Sequence, residues 1–150
     1  MMQNFLLFRL GERVFGVRLK GAIEIVPWQR PRAVPLSFSY VEGVTDYRGT
    51  IYPVFDLSQL LGMNRPGPIG FTAQGGEPAG NDGRSIILLR EGDLPFGVTV
   101  DSVVKMSLLD DAVDEKIDVK GMDQKLVRGV RTEDDQEIIL LSFERLFHAG

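Results

Sequence analysis

The chain has 150 residues, of which 43% are hydrophobic, and this length and composition are typical of one folded soluble domain. It has no cysteine and a single histidine, His148, which excludes disulfides, thiol nucleophiles and multi-histidine metal centres. Its net charge of −4 argues against general nucleic-acid binding, and no apolar run is long enough to span a membrane, so we expect a cytoplasmic protein.

Short runs rich in β-branched and aromatic residues predict strands in the first part of the chain. They are bounded by Gly, Pro or charged residues, as strands usually are. The predicted strands are 5–10, 14–19, 22–26 and 50–55. Asp56 then has the position of a helix N-cap, Gln59 stands at the capping-box position and Gly62 ends the helix, so a short helix is predicted here.

Segment 62–84 separates these elements from the rest of the chain. It contains seven Gly and three Pro in 23 residues and has no apolar periodicity. Such a composition cannot bury enough apolar surface to pack. We therefore predict a flexible linker or a long surface loop.

A second set of predicted strands follows this segment and repeats the first. The pattern G-x-x-x-F-G-V occurs at 11–17 and again at 92–98. Later in the chain Gly43-Val44 is matched by Gly129-Val130. Ser142 stands at the helix-capping position of the second unit, which corresponds to Asp56 in the first. The ordered series of matches predicts an internal duplication with approximate units 4–62 and 85–147. The predicted strands of the second unit are 85–90, 96–100, 103–107 and 137–141.

Short strands with frequent turns predict an all-β fold of two similar small barrels. Closing a sheet into a barrel removes its exposed edges and so protects it from aggregation. We expect two small barrels, matching the two repeat units, within one domain over 4–147, and a short helix at the end of each unit. The sequence leaves open the exact boundaries and any exchange of strands between the units.

The most specific pattern in the chain lies at 43–57. It reads G-V-T-D-Y-R-G-T-I-Y-P-V-F-D-L and strongly resembles the signature of the CheW-like chemotaxis coupling family, G-V-x-N-L-R-G-x-I-x-P-V-x-D-L. Further matches at 15–25, 96–103 and 139–147 extend the resemblance over about 4–147. Asp46 and Tyr47 replace the usual Asn and Leu, and Ser142 replaces an Asp found in many members.

The resemblance implies a non-enzymatic protein made of two five-stranded, SH3-like barrels with short helices. Members of this family bridge the cytoplasmic tips of chemoreceptors to a CheA-type histidine kinase. We therefore expect an adaptor that binds a receptor tip and the regulatory domain of the kinase. We expect no catalytic residue, no cofactor, no metal, no nucleic acid and no membrane insertion by the chain itself.

Two exposed charged residues are the main candidates for partner binding. Arg48 lies in a predicted turn; the residues alone favour a solvated turn arginine, whereas the resemblance places the family's binding arginine here. Glu24 should project to solvent, opposite to Ile23 and Ile25. It is either the polar side of a half-buried strand or a partner contact, and the resemblance places a partner-facing Glu at this point.

Four uncharged residues are further candidates. Gly43 and Gly49 permit tight backbone turns, or else allow a partner helix to approach closely. Val100 and Val103 are expected in the core unless the second barrel exposes an apolar patch. The resemblance implies that the second barrel contacts the kinase, which makes these two valines interface candidates.

Other conspicuous residues favour structural roles. Asp101 is expected to fix a turn through local backbone N–H groups, and Trp28 to pack on a barrel. The acidic run 110–118 lacks the order of an EF-hand loop and predicts a solvated face. Two alternatives remain open, which are a small β-barrel that binds a ligand or nucleic acid, and an enzyme that uses carboxylates such as Asp56 and Asp101.

Overall fold

A computed structural model of the chain describes residues 1–35, 37–63 and 83–148, and for Phe147 and His148 only the backbone. Most of the predicted linker 62–84 therefore lies outside the described residues. The first part of the chain forms β1 (Met2–Leu10), β2 (Arg13–Arg18), β3 (Ala22–Pro27), β4 (Val41–Tyr47), β5 (Thr50–Asp56) and α1 (Leu57–Leu60). The second part forms β6 (Ser85–Glu91), β7 (Leu94–Val100), β8 (Ser102–Asp110), β9 (Val127–Glu133), β10 (Gln136–Leu141) and α2 (Glu144–His148).

The strands form two five-stranded sheets, and each sheet takes strands from both repeat units. One has the order β8-β1-β2-β10-β9 and the other β3-β6-β7-β5-β4. Among the described residues the only parallel pairs are β2 with β10 and β5 with β7. These pairs join the two repeat units, and so do the antiparallel pairs β1 with β8 and β3 with β6. The units therefore exchange strands, a possibility that the sequence left open, and neither sheet is built from one repeat unit alone.

The repeated sequence is matched by repeated strand pairing. Replacing each strand of the first sheet by its counterpart in the repeat produces the order of the second sheet. The registers also correspond. Phe5 lies opposite Arg18 in the first sheet, and their counterparts in the second repeat unit, Ile86 and Thr99, lie opposite each other in the second sheet. The two sheets are thus built to one plan in spite of their different side chains.

A large apolar core joins the two sheets. It takes Phe8 and Phe15 from the first sheet and Phe55 and Phe96 from the second, all of them buried. Each sheet also curls around a smaller cluster of its own. Trp28 belongs to the cluster of the second sheet and is only 6% exposed, which confirms that it packs on the barrel.

The two edge strands of each sheet are bridged by side chains. In the second sheet the Tyr47 hydroxyl on β4 donates a hydrogen bond to Glu24 Oε2 on β3, at 3.1 Å. At the corresponding place in the first sheet, Lys105 Nζ on β8 lies 2.9 Å from Glu133 Oε1 on β9. No backbone ladder joins these edges in the described part of the chain. The sheets are therefore SH3-like subdomains and not fully closed barrels, and the predicted all-β fold class is confirmed.

The predicted helix caps are confirmed, and Asp101 makes a long-range contact that the sequence did not predict. Asp56 Oδ1 accepts the backbone N–H of Ser58 at 3.1 Å, and Ser142 Oγ accepts that of Glu144 at 3.4 Å. Asp101 contacts a turn that lies far away in the sequence. Its Oδ2 accepts the N–H of Gly11 at 2.6 Å and so ties together two turns from different repeat units.

Asp114, part of the acidic run, is not merely solvated. Its Oδ2 accepts the backbone N–H of Val130 at 2.9 Å, and its Oδ1 lies 2.9 Å from Arg131 Nη1. The bond from Val130, followed by that from Arg131, holds the pKa of the Asp114 carboxyl below its usual value of 3.8. The carboxylate therefore anchors the loop after β8 to β9.

Replacement of Asp114 by Asn should make stability less dependent on pH in acid. Because the folded-state pKa is lowered, the ionised carboxylate stabilises the fold above its unfolded pKa, and this contribution disappears as pH falls through the folded pKa. We expect Asp114→Asn to lower the free energy of unfolding by about 1 kcal/mol at pH 7, since the pair is partly exposed. Urea denaturation at pH 7 and pH 3 measures this. An equal difference between the two proteins at both pH values would contradict the assignment.

Candidate partner-binding surface

Arg48 and Gly49 form the two-residue turn between β4 and β5. Both have left-handed backbone angles, with φ of 51° and 83°. This is the combination required by a type I′ hairpin, whose twist matches that of the paired strands. The N–H of Gly49 also donates to Asp46 Oδ1 at 3.0 Å. The predicted turn is thus present, and it holds the exposed side chain of Arg48 at the tip of the hairpin.

Arg48, Tyr47 and Glu24 form one continuous surface. The guanidinium carbon of Arg48 lies 5.3 Å from the centre of the Tyr47 ring, and the Tyr47 hydroxyl bonds to Glu24. Partial burial and this hydrogen bond raise the pKa of the Tyr47 phenol, so it remains a protonated donor at neutral pH. The structure therefore brings the two main candidates together through Tyr47. Sequence reasoning noted Tyr47 only as a departure from the family signature.

Exposed isoleucines lie close in the sequence to these polar residues. Glu24 is exposed as predicted. Ile23 and Ile25 are also exposed, at 40% and 39%, because β3 is the edge strand of its sheet. Ile51, just after the hairpin turn, is 47% exposed. We call Glu24, Tyr47 and Arg48 the hairpin surface; the exposed isoleucines lie beside these residues along β3 and β5.

Gly43 and Val100 do not belong to any exposed surface. Gly43 is buried in β4, and a Cβ atom built on it would lie 2.2 Å from the carbonyl oxygen of Arg32. Its close approach is therefore to its own chain and not to a partner helix. Val100 is 0% exposed, in the core between the sheets. The structure thus corrects both candidates.

The other two uncharged candidates keep some access to solvent. Gly49 is exposed, and a Cβ atom built on it would meet nothing within 4 Å. Val103 is half-buried and packs against the shared core. Its neighbours on the edge strand β8 are more accessible, since Val104, Met106 and Leu108 are 40%, 60% and 55% exposed. These three exposed apolar side chains of the second repeat unit therefore lie close to Val103 on β8.

Sequence reasoning missed Glu42, a carboxylate largely withdrawn from solvent. It accepts hydrogen bonds from the Thr99 hydroxyl and from the indole N–H of Trp28, the latter at 3.4 Å. Burial raises the pKa of Glu42 above its usual value of 4.5, and the bond from Thr99 opposes this rise. Because it links β4 to β7, Glu42 is a structural group. Its partners lie far away in the sequence, so no local pattern indicates it.

We find no arrangement of three or more His, Cys, Asp or Glu side chains suited to a metal ion within residues 1–35, 37–63 and 83–148. Over the same ranges no helix is both long and apolar enough to cross a membrane.

The fold and the hairpin surface define a protein of two interlocked SH3-like subdomains with an exposed arginine at a hairpin tip. The sequence model of the CheW-like domain matches residues 4–150, and the chain therefore belongs to the CheW-like family. The resemblance seen in the sequence is confirmed. Membership of this family makes the chain a chemotaxis scaffold or adaptor protein.

Individual relatives agree with this assignment. The probable chemotaxis protein CheW of Rhizobium etli is 26% identical over 148 residues, which cover 97% of this chain and 87% of that protein. Chemotaxis protein CheW of Treponema pallidum is 25% identical over 142 residues, covering 93% and 79%. Protein FrzA of Myxococcus xanthus is 35% identical over 68 residues, covering 44% and 42%. The crystal structure of the scaffolding protein TtCheW from Thermoanaerobacter tengcongensis shares the fold, with a TM-score of 0.79, 24% identity and coverage of 99% and 89%.

Proposed function

We propose that this chain is a non-enzymatic adaptor that couples a chemoreceptor tip to the regulatory domain of a CheA-type histidine kinase. The observation that carries the proposal is the exposed Arg48, held at a hairpin tip within the family's signature segment. Residues 4–147 act as one domain in this role. An adaptor needs two binding surfaces and no reactive group.

The hairpin surface suits the first of these contacts. A guanidinium presents five N–H donors that match carboxylates and backbone carbonyls of a partner. Tyr47 lies beneath Arg48 and restrains it, and Glu24 supplies an acceptor on the same surface. The exposed isoleucines add apolar area, which charged side chains alone cannot provide.

The outward side of β8 suits the second contact. Val104, Met106 and Leu108 alternate along this edge strand and are exposed. Val103 supports them from the core side, and Val100 takes no part because it is fully buried. We assign the kinase to this apolar edge and the receptor tip to the hairpin surface. A protein that holds both partners raises their effective concentration for each other.

Charge reversal at Arg48 tests the proposal. We expect Arg48→Glu to weaken binding of a receptor-tip fragment by about tenfold or more, as loss of a central interface arginine usually does. Thermal unfolding should be nearly unchanged, since the side chain is exposed and the turn still holds a non-glycine residue. Isothermal titration calorimetry with separate receptor and kinase fragments measures both affinities.

Arg9→Glu is the matched control for this experiment. Arg9 is also an exposed arginine, but it lies on the strand β1, outside the hairpin surface. The control variant should bind both fragments like the wild type. Unchanged binding by Arg48→Glu, or equal weakening by both variants, would contradict the assignment of the hairpin surface. Binding of neither fragment by the wild type would contradict the proposed function.

A further inference from the structure

A cavity of about 290 Å³ opens where the end of β2, the start of β9 and α2 meet. Four basic side chains line it, namely Arg18, Lys125, Arg128 and Arg145. Ser142 and Glu144 complete its polar lining. We call it the basic cavity. It lies apart from the hairpin surface, and the proposed adaptor function makes no use of it.

Basic side chains outnumber acidic ones among the lining residues of the basic cavity. Arg18 is paired with Asp111, whose Oδ2 lies 3.1 Å from Arg18 Nη2. Lys125, Arg128 and Arg145 then face the single carboxylate of Glu144 among the lining residues. With Arg18 paired, the lining residues therefore carry an excess of two positive charges in a partly enclosed space, where charges are screened less than on an open surface.

Arg128 shows this imbalance most directly. Its Nη2 donates to the carbonyl oxygen of Asp111, but its Nε is buried and has no acceptor among the described residues. Burial, and then the nearby charge of Arg18, lower the pKa of the guanidinium. A half-buried cation beside another cation is costly unless an anion compensates it.

We propose that the basic cavity binds the phosphate groups of a small phosphorylated ligand. Guanidinium groups, an ammonium group and a hydroxyl are the donors that phosphate oxygens prefer. The excess charge matches a dianion better than a single carboxylate. At about 290 Å³ the cavity is at the lower end of the usual range for ligand pockets, so it fits a pyrophosphate-sized group.

A phosphorylated ligand in the basic cavity would also stabilise the contact between the two sheets. A neighbouring cavity of about 130 Å³ shares Arg18, Arg128, Ser142 and Glu144 with the basic cavity. It extends to Leu89 of β6 and Phe96 of β7, which belong to the other sheet. A ligand anchored on Arg18 and Arg128 would therefore stabilise the region where the sheets meet.

Titration of the full chain with pyrophosphate tests this inference. We expect saturable binding of one pyrophosphate per chain at low ionic strength, measured by isothermal titration calorimetry. The double variant Lys125→Gln/Arg145→Gln should weaken it by about tenfold or more, because two charged donors are lost. Both side chains are exposed, so thermal unfolding should remain close to that of the wild type.

The matched control is Arg9→Gln/Lys116→Gln, which removes the same charge from exposed residues outside the cavity. It should bind pyrophosphate like the wild type. Competition of ATP with pyrophosphate would identify a nucleotide as the source of the phosphate groups, and binding of pyrophosphate alone would identify the free anion. Absence of saturable binding, or equal weakening by both double variants, would overturn the proposal. So would binding of a glutamate-rich peptide without pyrophosphate binding, which would identify an acidic protein partner instead.

Discussion

Gly43→Ala should lower the free energy of unfolding by about 3 kcal/mol or more. An alanine Cβ at this position would lie 2.2 Å from the carbonyl oxygen of Arg32, which is backbone and cannot simply rotate away. The backbones of Arg32 and Val44 exchange two hydrogen bonds here, at 2.8 and 2.9 Å. Relieving the clash would break this bridge, and the φ of 149° adds strain for any L-residue.

Gly49→Ala is the matched control, because Gly49 is also a glycine with positive φ but has open space around it. We expect a cost of about 1 kcal/mol from backbone strain alone. Urea denaturation of the two variants separates the steric effect from the conformational one. If Gly43→Ala proved no more costly than Gly49→Ala, the close approach to Arg32 would be contradicted.

The second large effect is expected at Phe96, in the core that joins the two sheets. Its side chain is 1% exposed, and its ring lies 6.2 Å from that of Phe55 and 5.2 Å from that of Phe143, between ring centres. Truncation removes apolar burial from both sheets at once and leaves a cavity. We expect Phe96→Ala to lower the free energy of unfolding by about 3 to 5 kcal/mol.

Leu94→Ala provides the control on the same strand. Leu94 is 45% exposed, so its replacement should change stability by less than about 0.5 kcal/mol. The two sheets should unfold together in wild type and in Phe96→Ala, because they share one core. Separate transitions, or a loss at Phe96 as small as that at Leu94, would contradict this description of the core.

These stability effects bear on how the signature segment should be understood. Its glycine at 43 is required by packing against residues 31–32 of the same chain, whereas Arg48 in the same segment is exposed and has no such role. One short motif therefore combines a structural requirement with a proposed contact. Substitutions at Gly43 are poor tests of partner binding, since they disturb the hairpin that carries Arg48.

Local sequence patterns predicted most elements correctly, and the exceptions have a physical reason. Asp56 and Ser142 were recognisable as caps because a cap depends on residues two or three positions away. The turn at 48–49 was recognisable because a turn also depends on residues that are adjacent in the sequence. Strands β4 and β9 were not predicted, because each mixes polar and charged residues with apolar ones in an order that breaks the alternation typical of strands.

By itself the sequence of this chain determined the all-β class, the repeat, the helix caps, the hairpin turn and the family, all of which depend on neighbouring residues or on a contiguous motif. Only the tertiary structure decided which strands share a sheet, because pairs such as Val14 with Ile138 join distant segments. It also decided that Val100 is buried, that Tyr47 links Arg48 to Glu24, and that basic residues between 18 and 145 meet in one cavity. Exposure and charge clustering arise from long-range packing, which no local pattern of residues encodes.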